Sequence, residues 1–268
     1  MDGLTTSAPR MTPSPWQVRW RPVPAATVRL LCLPHAGGGA GAYRTWAESL
    51  ADHGVEVVAI RLPGRETRFH ERPYTRLPEL VAALIDDLRP VFDQPYAWFG
   101  HSMGALVAFE ACRLARRLGL PSPDRLLVSG RPAPHLVPRE SRVHNAPVPR
   151  FLARLREMNG TPPELLNDPG ALASLLPTLR ADFAIAETYQ YRTGPPLEVP
   201  ISAFGGASDV FANAEELRGW GQHSTAGCTV RVLDGGHFFL HDFHRRLLPL
   251  VAVDLRSPTP MHPHRRQQ

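Results

Sequence analysis

The sequence predicts an α/β fold: a mostly parallel central sheet flanked by helices and interrupted once by an all-helical insertion. Three observations carry this expectation. Short apolar, β-branched runs alternate with amphipathic stretches of helical spacing, as a parallel sheet with right-handed crossovers requires. One junction between such elements is Gly100-His101-Ser102-Met103-Gly104, a glycine-flanked serine where a strand turns at once into a helix. Residues 135–194 hold no strand pattern, only short helical stretches punctuated by proline.

Taken in chain order, residues 1–15 are rich in Pro, Thr, Ser and Arg and read as a flexible arm, with a short strand around 16–20. Residues 27–33 and 55–60 are leucine- and valine-rich runs that suit buried strands. Residues 77–92 have helical spacing, with Asp86, Asp87 and Arg89 turned outward. A strand at 96–100 leads into a helix at 103–118. Its Leu106, Val107, Ala111, Leu114 and Leu118 form one apolar stripe, and Arg113, Arg116 and Arg117 face away. Ala105 and Ala108 are small enough to let this helix lie close to the sheet. A strand follows at 124–130, then the insertion, with helices at 149–159 and 172–191; such an insertion is expected to cap the site as a lid. Strands at 201–205 and 229–233 enclose a helix near 213–223, and a last helix covers 238–254. Residues 257–268 read as a disordered tail. The whole is expected to be a single domain, its core at about 16–134 and 195–255 and its lid at about 135–194.

Composition narrows the function classes. The 268 residues, 43% of them hydrophobic, suit an ordinary globule with a large core. No apolar run approaches the ~18 residues that span a bilayer, and the N-terminus lacks the apolar stretch of a secretory signal. Cys32, Cys112 and Cys228 lie far apart in apolar segments, without zinc or disulfide spacing, which points to buried free thiols in a reducing cytoplasm. Every one of the thirty basic residues is arginine. The absence of lysine excludes a Walker A loop, a kinase ATP lysine and a pyridoxal Schiff base. The net charge of +5 and the dense run Arg65-Glu66-Thr67-Arg68 read first as a solvated surface, and second as a field that steers an acidic partner. Nucleic-acid binding is not expected, because 25 acidic residues interleave with the arginines and no recognition motif is present.

The glycine-flanked serine carries the chemistry. A serine nucleophile needs a strained strand-to-helix turn that lifts its Oγ above the sheet, and the glycines remove side chains that would collide there. A chance match to the five-residue pattern occurs in roughly one chain in ten of this composition, so the strand before and the helix after decide the matter. Ser102 also stands at a helix N-terminus, where free N–H groups favour negative charge. The run Pro34-His35-Ala36-Gly37-Gly38-Gly39-Ala40-Gly41 follows the first long strand, where this chemistry draws one backbone donor for the oxyanion; the residue after the serine supplies the other. The expected donors are the N–H groups of Ala36 and Met103. Read as a dinucleotide loop, the run fails on spacing, since Arg44 stands where a third glycine belongs. His35 falls in the wrong place in the chain to be the base and is expected to shape the loop through hydrogen bonds.

The expected chain order is serine, acid, histidine. Asp209 follows the strand at 201–205, and His237 follows the strand at 229–233, both on loops that open at the serine's edge of the sheet. Asp234 is too near His237 to serve as its partner; Asp182 and Glu187 are next in line should Asp209 fail. His241 and His244 follow at helical spacing without the carboxylate a zinc site would need, and read as helix-face histidines. No cofactor or metal is called for.

Five stretches together make residues 16–255 resemble the type II thioesterases of polyketide and nonribosomal peptide assembly lines, within the α/β-hydrolase superfamily: Leu33–Gly38, Leu62-Pro63-Gly64-Arg65-Glu66, the serine motif, Leu179-Arg180-Ala181-Asp182-Phe183, and Gly235-Gly236-His237-Phe238-Phe239. The resemblance implies a discrete, monomeric, cytoplasmic enzyme that hydrolyses acyl groups from the phosphopantetheine arm of acyl or peptidyl carrier proteins, for editing or release. It implies Ser102, Asp209 and His237 as the triad, with Ala36 and Met103 at the oxyanion hole. A small-molecule esterase or lipase with the same triad, an acyltransferase, and a binder that kept the fold remain as alternatives.

Overall fold

The computed structural model describes residues 14–137, 139–242 and 244–256. The expected arm and tail therefore fall outside the described residues, apart from Ser14 and Pro15. Ser14 is tied down: its hydroxyl donates to the Asp87 carboxylate at 2.6 Å.

Seven strands form one sheet: β1 (Gln17–Val18), β2 (Val28–Leu33), β3 (Val55–Ile60), β4 (Tyr96–His101), β5 (Arg125–Ser129), β6 (Ile201–Gly206) and β7 (Cys228–Leu233), in the order β1-β3-β2-β4-β5-β6-β7. The strand β1 runs antiparallel to β3, and all other pairs are parallel. The continuous apolar runs of β3 and β4 match burial on both faces, every residue of each being buried. Side chains of β2 alternate between the two faces: Leu31 and Leu33 join one core with α2 (Leu77–Leu88) and α3 (Met103–Arg117), whereas Leu30 and Cys32 join the other with α1 (Arg44–Ala51). A fully buried leucine is worth about 1.5–3 kcal/mol, so this alternation fixes the register firmly.

After β2 the chain moves outward to β3, then returns to lay β4 on the other side of β2. This reversal opens a crevice beyond the C-terminal ends of β2 and β4, the place where open α/β sheets bind ligands. The register pairs Leu33 with Gly100, which brings the glycine loop and Ser102 side by side.

Between β5 and β6 stand α4 (Val148–Met158), α5 (Pro163–Asn167) and α6 (Pro169–Thr188). They share a small core of their own, with Phe151, Leu155, Leu166, Leu179 and Phe183 buried together. The last of the three starts earlier than the spacing suggests, because Asp168 caps it by accepting from the N–H groups of Gly170 and Ala171.

Two helical expectations are corrected. The helix expected at 77–92 ends at Leu88 and tightens into a 3₁₀ turn at Arg89–Val91, where Pro90 has no N–H to continue it. The helix expected near 213–223 divides into α7 (Ala214–Arg218), with a capping box between Asn213 and Glu216, and a 3₁₀ turn at Gly219–His223. Over the span of the helix expected at 238–254, helix is described on both sides of residue 243, as α8 (Phe239–Asp242) and α9 (His244–Arg256).

The polarity expected for α3 also needs correction. Arg113 does not face away: it is buried, pairs with Glu110 at 2.7 Å, donates to the Arg192 carbonyl at 2.7 Å, and lies against the rings of Phe109 and Tyr191. Leu118, by contrast, is exposed at the helix end. Cys32 and Cys112 are buried as expected, whereas Cys228 is only half-buried; all three are free. Burial pushes all three thiols up, Cys228 to about 11.

Candidate active site

Ser102 sits at φ 54°, ψ −112°, a backbone conformation that a side chain rarely adopts. What holds it there is the pair of flanking glycines. A Cβ on Gly100 would lie 2.1 Å from the Gly104 carbonyl oxygen, and one on Gly104 would lie 2.4 Å from the Leu33 carbonyl oxygen. Strand, turn and helix therefore approach more closely than any other residue pair would permit. The Ser102 N–H donates to the Ser129 carbonyl at 2.8 Å, which anchors the turn on β5.

The structure brings the three expected side chains into one line. The Nε2 of His237 lies 3.1 Å from the Ser102 Oγ, and its Nδ1 lies 2.9 Å from the Asp209 Oδ2. The other Asp209 oxygen accepts from the Phe211 N–H at 2.9 Å, leaving the carboxylate fixed on both sides. All three residues are buried. The acid loop and the histidine loop are themselves packed backbone to backbone, since a Cβ on Gly206 would fall 2.3 Å from the Gly236 carbonyl oxygen. Asp234 stands apart, paired with Arg246 at the surface. Asp182 and Glu187, the reserve acids, are engaged elsewhere, with Arg65 and with His144 respectively.

Met103 opens α3, so its N–H has no partner within the helix. Ala36 faces the same space: both residues line a cavity of about 460 Å³ that also takes in Ser102 and His237. Phe183 and Met158 of α6 and α4 contribute to its wall, with Arg139 and Arg142 at the side reached from solvent. A second, much smaller crevice of about 20 Å³ opens on the same serine, lined by His35, Leu155, Gly160 and Phe238.

His35 does its work by packing. Its ring meets Phe238 edge-on at 4.8 Å and His101 at 5.9 Å, and it fills the space in which a Cβ on Gly38 would lie 2.9 Å away. Burial, together with the nearby His241, His237 and Arg65 charges, holds its imidazole down to about 3. His101, bound to the Ser129 hydroxyl at 3.0 Å, is likewise pushed well below the usual range by burial. Both rings are thus neutral near pH 7, and that of His101 lies 5.0 Å from His237. His241 packs on Phe238 and on the ring of His35, and His244 bonds the His241 carbonyl.

Sequence spacing did not single out the contacts of Arg65. Its guanidinium is paired with Asp182 through two bonds of 2.8 Å, both residues buried. The two stretches Leu62–Glu66 and Leu179–Phe183 were visible as motifs, but nothing in either one shows that they meet.

Residues 28–251 match the family model described as Thioesterase domain. The chain belongs to the thioesterase family. This thioesterase is 38% identical over 241 residues to the gramicidin S biosynthesis protein GrsT of Aneurinibacillus migulanus, covering 90% of this chain and 94% of that protein. Among solved structures, the RedJ thioesterase of the prodiginine pathway in Streptomyces coelicolor superposes with a TM-score of 0.81 at 37% identity, covering 92% of this chain and 91% of RedJ. The type II thioesterase BorB from the borrelidin cluster gives 0.80 at 39%, covering 90% of this chain and 98% of BorB. The thioesterase is thus a thioester hydrolase with relatives among the type II enzymes, and its sheet, helices and glycine-serine turn are those of an α/β-hydrolase.

Proposed function

We propose that the enzyme hydrolyses acyl groups from the phosphopantetheine arms of acyl or peptidyl carrier proteins in polyketide or nonribosomal peptide synthesis, for editing or release. The observation that carries this is the line from Ser102 through His237 to Asp209, opening into a cavity walled on one side by α4 and α6. In this reading α4 to α6 form a lid on a single domain, and the cavity admits the pantetheine arm.

The chemistry runs in two halves. The Oγ of Ser102 attacks the thioester carbonyl carbon while His237 takes its proton. Asp209 keeps the imidazole in the tautomer that accepts at Nε2 and stabilises the cation that forms. The resulting oxyanion is held by the N–H groups of Ala36 and Met103, each donor worth about 3 kcal/mol in the transition state. Collapse breaks the carbon–sulfur bond, and the thiolate leaves with the proton from His237; a thiol of pKa near 8.5 is a good leaving group. His237 then takes a proton from water, the hydroxide attacks the acyl-serine, and the acid departs as Ser102 recovers its proton. A monomer in the cytoplasm, with its thiols reduced, fits this role.

The test is mass spectrometry of carrier proteins loaded with varied acyl groups, before and after adding enzyme, beside turnover of p-nitrophenyl esters. Loss of the acyl mass from carriers at a kcat/KM well above that for simple esters supports the proposal. Preferential ester turnover, with acyl-carriers untouched, overturns it in favour of an esterase.

A further inference from the structure

We infer that Asp182 and Arg65 are positioning residues for the loop that follows β2, and that this loop keeps its shape only while α6 is seated on it. The inference rests on the reading of that loop as the oxyanion-binding element.

Four bonds pin the loop. The Gly37 N–H donates to Asp182 Oδ2 at 2.7 Å, and Arg65 donates to the Gly38 carbonyl at 2.7 Å. The Gly38 N–H closes a turn on the His35 carbonyl at 2.9 Å. Further along, the Gly41 N–H donates to Glu66 Oε1 at 2.9 Å. The peptide plane after Ala36 is therefore held from outside the loop by Asp182, and the plane before it by the loop's own turn through the Gly38 N–H. Gly37 has φ +78°, and a Cβ there would lie 2.4 Å from Leu179, so α6 presses directly on the bend.

One turn of α6 makes three contacts with this region. Thr178 bonds the Gly64 carbonyl at 2.7 Å, Leu179 covers Gly37, and Asp182 takes the Gly37 N–H. Positions 178, 179 and 182 share a helix face by their three- and four-residue spacing. The next residue, Phe183, lines the substrate cavity. A buried ion pair is a poor device for stability, since apolar residues of the same volume often serve as well. It is a good device for direction: two parallel bonds to a rigid guanidinium leave the carboxylate one orientation, and that orientation aims Oδ2 at Gly37. Opening the helical roof at α6 would break the Gly37 bond and release the loop. The hole is then correctly shaped only while the roof is seated.

Asp182→Asn is the test, read with a pantetheine thioester as substrate and an alkyl boronic acid as the probe that forms a tetrahedral adduct on the serine. We expect kcat to fall about ten- to a hundredfold, KM to stay within about twofold, and boronic acid affinity to fall by the same factor as kcat. A role in folding alone would lower the active fraction and leave both constants of the remaining enzyme unchanged. That result, or unchanged boronate affinity, overturns the inference. Wild-type protein that forms no boronate adduct refutes the serine-hydrolase reading itself, which separates the two failures. Should the variant not fold, hydrogen exchange on the wild type serves instead. Boronate binding should protect peptides 34–41 and 176–184 together; protection of the first without the second sinks the coupling.

Discussion

Replacing Gly104 by alanine puts two effects of opposite sign against each other. Gly104 is the second residue of α3, and alanine in a helix is favoured over glycine by up to about 1 kcal/mol. The new Cβ, however, would stand 2.4 Å from the Leu33 carbonyl oxygen and 2.7 Å from that of Pro34, both of them backbone. Ordinary contact begins near 3.4 Å, so β2 and the helix must part by about 1 Å. Overpacking of this kind costs about 1–3 kcal/mol, which outweighs the helical gain and leaves the variant less stable by about 0–2 kcal/mol. The larger effect is on catalysis. Leu33 carries the loop with Ala36, and its carbonyl also accepts from the Tyr43 hydroxyl at 2.7 Å, so the displacement is passed to the proposed oxyanion donors. A misplacement of about 1 Å is worth roughly a hundredfold in rate, or about 2.7 kcal/mol of barrier. Steady-state kinetics on a short pantetheine thioester, alongside thermal denaturation, measures both. Gly119→Ala is the control: its φ of +66° strains any side chain, but nothing lies within 4 Å, so stability should fall slightly and activity hold. A Gly104→Ala enzyme that retains half its activity would refute the close-approach argument.

Ser102→Ala should remove hydrolysis and labelling by a fluorophosphonate together, whereas Asp209→Asn should lower kcat by about 10⁴ because the imidazole loses its tautomer; a near-normal rate in the second would move the acid elsewhere. Stability should fall with acid. His35 at about 3, His223 at about 4 and His101 well below the usual range are all lowered chiefly by burial, so the unfolded chain binds protons that the folded chain refuses. Their contribution is complete above about pH 6.5 and lost as pH falls toward 4, at up to about 1.4 kcal/mol per pH unit for each proton. Urea midpoints that stay level between pH 7 and 5 would contradict this. Exposed Arg139 and Arg142 stand at the cavity's outer side, so kcat/KM on an acyl-carrier protein should drop several-fold between low salt and about 0.15 M, with the small thioester unaffected. Equal salt response of the two substrates would remove these arginines from docking.

The serine turn was readable in the sequence because its chemistry is local: five residues, a strand before and a helix after, and glycines whose necessity comes from one close approach. Asp209 and His237 were readable by position, since each follows a strand whose pairing fixes which edge its loop opens on. Arg113 shows where such reading stops. Helical spacing places it opposite the stripe of Leu106 and Ala111, but its burial depends on a Tyr191 ring and an Arg192 carbonyl almost eighty residues on. The same holds for Arg65 and Asp182, 117 positions apart. Helix ends were blurred for a different reason. Pro90 acts by its missing N–H and Asp168 by capping two N–H groups, local effects that a hydrophobic pattern averages away.

The buried thiols bear on how the reaction's own product behaves. Each turnover frees a sulfhydryl, which under mild oxidation would seek a partner for a mixed disulfide. With Cys32 and Cys112 enclosed and burial holding Cys228 up to about 11, almost no thiolate is available on the protein at neutral pH. Released sulfhydryl therefore accumulates without capturing its maker. A colorimetric disulfide reagent, added continuously, should count turnovers against an almost blank background from the enzyme.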